Sequence, residues 1–471
     1  MKRRILWWGV GILLLSLLVR AGWLTLFPAD PLEPVDAKGY HLLACNLLAG
    51  QGFSLQQSAP FCLDTIRTPL YPLFLAAIYR LWGFEPAGAV LVQPLLETLT
   101  TALVLRLGRE LGGARVGWVA ALCYALNGST QRYTSSLYAE TLLLPLVVGA
   151  LWVSLLAFKR ATPGRVMLAA LCWGLAVLTK PNVQFLTLSV GLWGALYPLC
   201  VPRPERFTFY ASRAGLYFVT LLAVLAPWLF RNHCLLDRWL LSTAFEENLA
   251  RVSAIATLAE VAGVYAEPWT PTWEHYYLSA IVDVAMVRFE WGARAETGDE
   301  CRVSRLRHRE MYIVAREIVW EHPCAALVAH ARGVGRSLLD MGHRKWYPLL
   351  TGRAWESTGV LSDIWQRMGE SLRLGAVGDA FHAFWLERVV RIPPLAGVLW
   401  WGLLAGRIAL WGLCGRGTLW LWRAQPEAAL LLLGTIAYFM VLPGPIAYER
   451  FYLPAIPAVV VLAALALRHP A

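Results

Sequence analysis

Apolar runs of roughly twenty residues recur along this chain, and that feature excludes most folds. A segment in hydrocarbon has no water to satisfy its backbone N–H and C=O groups, so it must form a helix or join a closed barrel. A barrel strand needs only about half that length, so these runs read as helices. Composition agrees: 58% of residues are hydrophobic and the mean hydropathy is +0.51. Only 15% are charged, against about 25% in a soluble domain. The expected class is an all-α polytopic membrane protein. The first run, Ile5 to Phe27, follows Lys2, Arg3 and Arg4. It is too long for a signal-peptide core and ends without a small-residue cleavage pattern, so it reads as a retained helix.

From a cytoplasmic N-terminus, ten crossings are predicted, at 5–27, 87–108, 115–130, 137–158, 164–180, 182–200, 212–230, 394–414, 427–443 and 452–468. The apolar stretch 69–82 is too short to span, and Pro69 and Pro72 suit a helix start. If it crossed, the arginine-rich turns would face outward, so it is laid in the outer interface. A second juxtamembrane helix is predicted at 36–49, stopped by Gly50. The chain thus divides into an N-terminal module, 1–230, with a first outer loop at 28–86, then a long outer loop, 231–393, and closing helices, 394–471. Two pieces of the long loop, HYYLSAIVDVAMVRF and HPCAALVAHARGVGRSLLD, read as amphipathic helices packed on the outer face.

The net charge of +11 would suit nucleic acid, but its distribution argues otherwise. Lys and Arg concentrate in the short segments assigned to the cytoplasm, while the long loop is nearly balanced. The excess is a topology signal, and both termini are expected in the cytoplasm. Cys45 and Cys62 could bridge the first outer loop in an oxidising compartment, or could be buried free thiols.

With this topology, polar residues at helix ends collect on one side: Asp36 and Tyr40, Asp64 and Arg67, Tyr138 and Glu140, Lys180 and Asn182, Arg231 and Asn232, and Tyr448, Glu449, Arg450 and Tyr452. Acids and cations at one level beside an apolar bundle suit an amphiphilic, anionic lipid. Asp36 reads either as a helix N-cap or as a catalytic base. Asp64 is the reserve base, although its neighbour Arg67 favours an ion pair. Two charges lie deeper. Arg20 is about 12 Å below the outer end of its helix and Glu97 about 15 Å down its own. They could contact each other, or Arg20 could point up at a lipid phosphate.

The order of VDAKGYHLLACNLLAGQGFS, RTPLYPLFLAAIY, RELGG, YAET, GLAVLTKP, PWLFRN and RFYLPAIP resembles bacterial GT-C superfamily glycosyltransferases of the protein O-mannosyltransferase and lipid A aminoarabinose-transferase type. The resemblance implies a GT-C-type bundle in a bacterial cytoplasmic membrane and a polyprenyl-phosphate-linked sugar donor used at the outer face. It also implies a catalytic acid in the first outer loop, here Asp36. Some relatives bind a divalent metal through paired acids there. Glu33 and Asp36 stand three apart instead, so neither a metal nor another cofactor is expected. Transfer needs a base for the acceptor and cations for the departing phosphate. Asp36 is the expected base, with Tyr40 orienting it or the acceptor. Arg67, Lys180, Arg231 and Arg450 are the phosphate candidates. Glu140 would bind sugar hydroxyls or hold one of those cations, and Tyr138 would also line the substrate site. The acceptor is a lipid, a glycan or a protein. A lipid-linked glycan polymerase or ligase would use the same features. A transporter would instead place its site near the midplane, often between repeated halves, and a structural scaffold would have no use for so many charges at helix ends.

Overall fold

The computed structural model describes residues 2–200, 207–264, 271–291, 299–339, 394–446 and 449–468, with the isolated positions 351, 376, 378 and 379. Among these residues the regular structure is helical, apart from one isolated bridge between Ser54 and Leu63. The N-terminal part runs α1 (Lys2–Leu26), α2 (Val35–Leu48), α3 (Leu70–Trp82), α4 (Pro86–Gly112), α5 (Ala114–Ala125), α6 (Gly128–Arg132), α7 (Glu140–Lys159), α8 (Pro163–Thr179), α9 (Gln184–Cys200) and α10 (Phe207–Leu236). Each predicted crossing overlaps a helix, but 115–130 is divided between α5, which ends at Ala125, and α6, which Asn127 caps. Five stretches are long and apolar enough to cross a membrane by length and composition: Trp7–Leu26, Pro86–Gly112, Glu140–Lys159, Ala211–Leu236 and Glu449–Ala466. The chain is an all-α, multi-pass membrane protein.

Helix α4 shows why the bundle needs a hydrocarbon surround. Leu91, Leu95 and Leu99, four apart, are exposed along one stripe. Gln93, Glu97, Thr100 and Thr101 are buried on the other side. In water this arrangement would be inside out, but in lipid the leucines face solvent and the polar groups find partners within the bundle. Helices α4 and α5 meet through glycines. A Cβ on Gly117 would lie 2.6 Å from the Leu105 carbonyl oxygen, and one on Gly108 would lie 2.9 Å from the Gly117 Cα. Lacking side chains, the two backbones approach closely, which is how lipid-embedded helices gain packing energy.

The two shorter stretches expected to be helical, 36–49 and 69–82, form α2 and α3. Helix α2 ends in a Schellman arrangement. The Gly50 N–H donates to Leu47 O at 3.3 Å and the Gln51 N–H to Asn46 O at 2.8 Å. Gly50 has φ +73°, which only glycine adopts without strain. Tyr71, Leu75 and Tyr79 of α3 pack on Tyr40 and Ala44 of α2, forming a small apolar core with Ala89 and Leu137.

The long loop folds into α11 (Ala244–Asn248), α12 (Ala254–Val261), α13 (Pro271–Tyr276), α14 (Asp283–Arg288), α15 (Glu300–Glu321) and α16 (Pro323–Leu339). Ile255, Trp273, Tyr277, Ile281, Met311 and Val314 form their own core. Helix α16 docks on the closing segment. His330 Nε2 lies 2.9 Å from Val441 O, and Arg336 donates to Pro445 O at 2.9 Å. The chain closes with α17 (Pro394–Ala424), α18 (Pro426–Val441), α19 (Glu449–Tyr452) and α20 (Ile456–Ala466).

One expectation is corrected. Cys62 is bonded not to Cys45 but to Cys301, 239 residues away, and Cys45 is a free thiol near His41. Cys45 belongs to α2, whose packing on α3 holds it beside His41, whereas Cys62 lies in the loop that meets the start of α15. The sequence left Cys45 and Cys62 either bridged or free, and the fold of the long loop supplied Cys62 with a distant partner.

Candidate active site

Asp36 sits in the first turn of α2, whose N-cap is Pro34, and no side chain caps this end. The cap role is therefore excluded. The carboxylate faces two guanidiniums instead: Arg450 Nη2 lies 2.6 Å from Oδ2 and Arg67 Nη2 3.5 Å from Oδ1. Arg450 leads into the last helices and Arg67 lies just before α3, so the ion cluster joins three distant parts of the chain.

Glu140 opens α7 and is buried. Its Oε1 takes the Lys180 ammonium at 2.5 Å and lies 2.9 Å from Arg450 Nε. Lys180 ends α8 in extended conformation, because Pro181 follows it and disfavours a helical residue there. Arg450 thus bridges the two acids. Its guanidinium lies 5.1 Å from the Tyr138 ring centre, and Lys180 is 5.3 Å from that of Phe451. Two carboxylates and three cations thus meet in one cluster.

Burial alone would raise the Asp36 carboxyl, but Arg450, then Arg67 and the more distant Lys180, outweigh it and hold it below the ordinary carboxylate range. Tyr40, one turn on, is driven the other way by burial, then by Asp36 and Glu140, so its phenol stays protonated. Its ring meets Tyr71 edge-on at 4.9 Å, with the Arg67 guanidinium 5.5 Å away.

Other residues named from the sequence are placed elsewhere. Arg231 donates to the Asp64 carbonyl and to Asn232 Oδ1, both at 2.7 Å, and lies over Trp228 at 4.4 Å. Asp64 is buried, and its Oδ2 accepts the Arg67 backbone N–H at 2.9 Å, so it shapes the turn leading to Arg67. Asn232 holds the Leu240 and Leu241 carbonyls. The Asn182 carbonyl accepts the Tyr438 hydroxyl, and Tyr452 lies 5.1 Å from Arg407. Tyr448 is outside the described residues. The deep pair does meet: Arg20 Nη2 lies 3.5 Å from Glu97 Oε2, and both are buried. Arg20 also donates to Ser16 Oγ at 2.8 Å and to Ala125 O and Thr130 Oγ1, while Tyr124 donates to Glu97 at 2.8 Å. These partners occupy Arg20 inside the bundle and fasten α1 to α4 and α5.

Two contributors were not foreseen. A Cβ on Gly39 would lie 2.5 Å from Arg67 Nη2, so this glycine gives the guanidinium its seat. A glycine inside a helical pattern was the available signal. Gln93 donates to Thr134 O and Ser136 O and accepts from the Tyr71 and Thr141 hydroxyls. All four capacities of its amide are used. This fixes the segment carrying Tyr138 and Glu140 against α3. An amide within an apolar run was its signal.

The donor set does not suit a divalent cation. The Asp36 oxygens face Arg67 and Arg450, Glu140 carries Lys180, and Glu33 is exposed. No three His, Cys, Asp or Glu stand together for a metal among the described residues.

Residues 66–230 match the family model described as dolichyl-phosphate-mannose-protein mannosyltransferase. The match bears out the resemblance read from the motifs over about a third of the chain. No curated protein matches. Among solved structures, the Archaeoglobus fulgidus oligosaccharyltransferase in its apo form is 15% identical with a TM-score of 0.47, over 98% of this chain and 50% of that one. ArnT from Cupriavidus metallidurans bound to undecaprenyl phosphate is 15% identical with a TM-score of 0.42, over 98% of this chain and 77% of that one. The chain thus spans about half the length of the archaeal enzyme. At these scores the likenesses carry no information on substrate or residue roles.

Proposed function

We propose that this protein is a membrane glycosyltransferase that moves a sugar from a polyprenyl-phosphate donor to an acceptor at the outer face of the cytoplasmic membrane. The observation that carries this reading is the ion cluster: an accessible carboxylate, Asp36, between two guanidiniums, beside a buried Glu140–Lys180 pair. The family match over 66–230 gives the chemistry its class.

In this reading the acceptor hydroxyl or amine attacks the anomeric carbon, and Asp36 takes its proton. The new acceptor–carbon bond forms as the carbon–oxygen bond to phosphate breaks. Attack from the side opposite the phosphate inverts the carbon. The lipid phosphate leaves with its charge held by Arg67, Arg450 and Lys180. An incoming phosphate also competes with Asp36 for the guanidiniums, which loosens their hold and raises the affinity of the carboxylate for a proton. Tyr40 remains a neutral hydroxyl that orients acid or acceptor. Glu140 holds Lys180 and Arg450, and no metal takes part.

Two observations support the outer face. Lys and Arg concentrate on the turns opposite the cluster. The Cys62–Cys301 bond joins the loop bearing Arg67 to the long loop, and such bonds persist in oxidising compartments. Purified protein given radiolabelled polyprenyl-phosphate sugars, with envelope lipids, glycans and proteins as acceptors, should release free lipid phosphate. No release from any donor would refute the proposal.

A further inference from the structure

The segment Cys62–Arg67 carries a phosphate candidate, yet the groups fixing its shape belong to other parts of the chain. Three consecutive backbone carbonyls are taken. Arg231 of α10 donates to Asp64 O at 2.7 Å, the Thr243 N–H donates to Thr65 O at 2.9 Å, and the Ser242 hydroxyl donates to Ile66 O. Thr65 and Thr243 also pair through their hydroxyls at 3.2 Å. Cys62 is bonded to Cys301 in the first turn of α15. The Asp64 N–H donates to Phe53 O at 2.7 Å, and Asp64 Oδ2 accepts the Arg67 N–H.

The holding groups are themselves held. Trp228 donates to Leu241 O at 2.9 Å and Asn232 to Leu240 O and Leu241 O, so residues 240–243 are tied to α10. Helix α15 is tied to α11 through His308 and Glu247, 3.0 Å apart. The long loop therefore grips this segment by a covalent bond at one end and hydrogen bonds along it.

We infer that residues 62–67, gripped by Arg231, Ser242, Thr243 and Cys301, form a clasp through which the long loop sets the position of the Arg67 guanidinium beside Asp36. Arg231, Ser242 and Thr243 are positioning residues that act through Arg67 without touching the lipid phosphate. The inference rests on the proposed function, because it takes Arg67 as a phosphate ligand. It also gives the long loop a physical route to the donor site.

The test measures binding of a polyprenyl monophosphate to the full-length protein in nanodiscs, with thermal unfolding followed in parallel. The variants are Arg67→Met, Arg231→Met, Arg231→Lys, the pair Cys62→Ser with Cys301→Ser, and each clasp change combined with Arg67→Met. Arg67→Met should weaken binding about tenfold, the loss of one charge-assisted contact. Arg231→Met and the cysteine pair should each weaken it severalfold, and Arg231→Lys should recover part of the loss. The deciding result is non-additivity: adding a clasp change to Arg67→Met should cost nothing further, because both act through one side chain. Clasp variants that bind as tightly as the parent, or that add their full loss to Arg67→Met, would overturn the inference and leave the proposed function standing. A parent protein that binds no lipid phosphate would overturn both. Should the cysteine pair fail to fold, reducing the bond in the folded parent gives the same comparison.

Discussion

The Asp36 carboxylate is 36% exposed and still has a cation on each oxygen. Exposure lets an acceptor reach it, while the cations keep it ionised as pH falls through the ordinary carboxylate range. Because the pKa is depressed in the folded protein, the resulting stability is present above the unfolded value and lost as pH falls through the folded one. Replacing Arg450 by Gln removes the partner that lowers it most. The acid limb of the rate–pH profile should then move to higher pH, and turnover at neutral pH should fall about tenfold or more with the loss of a phosphate ligand. An unmoved acid limb would detach Arg450 from Asp36. At this scale the sequence was partly legible. Asp36, Arg67, Glu140, Lys180 and Arg450 were readable as ionic groups at helix ends, and Arg20 and Glu97 from similar depths in their helices. The hold of Arg231 on the Asp64 carbonyl was not legible, because its neighbourhood depends on a turn, 237–243, that sets no pattern in the chain. Gly39 passed unnoticed because its role is to be absent from a space that Arg67 fills.

Helix positions followed from apolar run length and from proline and glycine punctuation, which is why α2, α3 and the crossings fell where expected. Helix pairing did not, because in lipid it depends on small residues and scattered polar groups. Gly117 is the sharpest case. A valine there would drive its side chain into the Leu105 carbonyl and Arg109, separating α4 from α5. The variant should lose about 1–3 kcal/mol of stability, typical of overpacking. A lowered thermal midpoint in detergent would show this, whereas an unchanged midpoint would mean the two helices are free to part. The deep Arg20–Glu97 pair belongs to the same scale. With Arg20 Nη1 and Nη2 also donating to Ser16, Ala125 and Thr130, it reads as a fastening between helices.

Across the whole molecule, fold class was legible because a bilayer imposes it on composition. In the long loop the helices over 275–288 and 323–339 were legible, but their packing was not, since it is set by their own small core and by contacts far away in sequence. The disulfide marks this limit, joining positions 239 residues apart. In a background keeping only Cys62 and Cys301, cysteines placed at the exposed positions Lys38 and Arg160 should react with an impermeant thiol reagent from opposite sides of the membrane, Lys38 from outside. Labelling from the same side would break the topology. The central claim is that Asp36 acts as the base while its neighbouring cations hold the lipid phosphate. The most direct measurement follows lipid-phosphate binding and sugar transfer together in Asp36→Asn. The account predicts binding at least as tight as the parent's, since a competing anion is gone, with transfer abolished. Transfer at the parent's rate would contradict it.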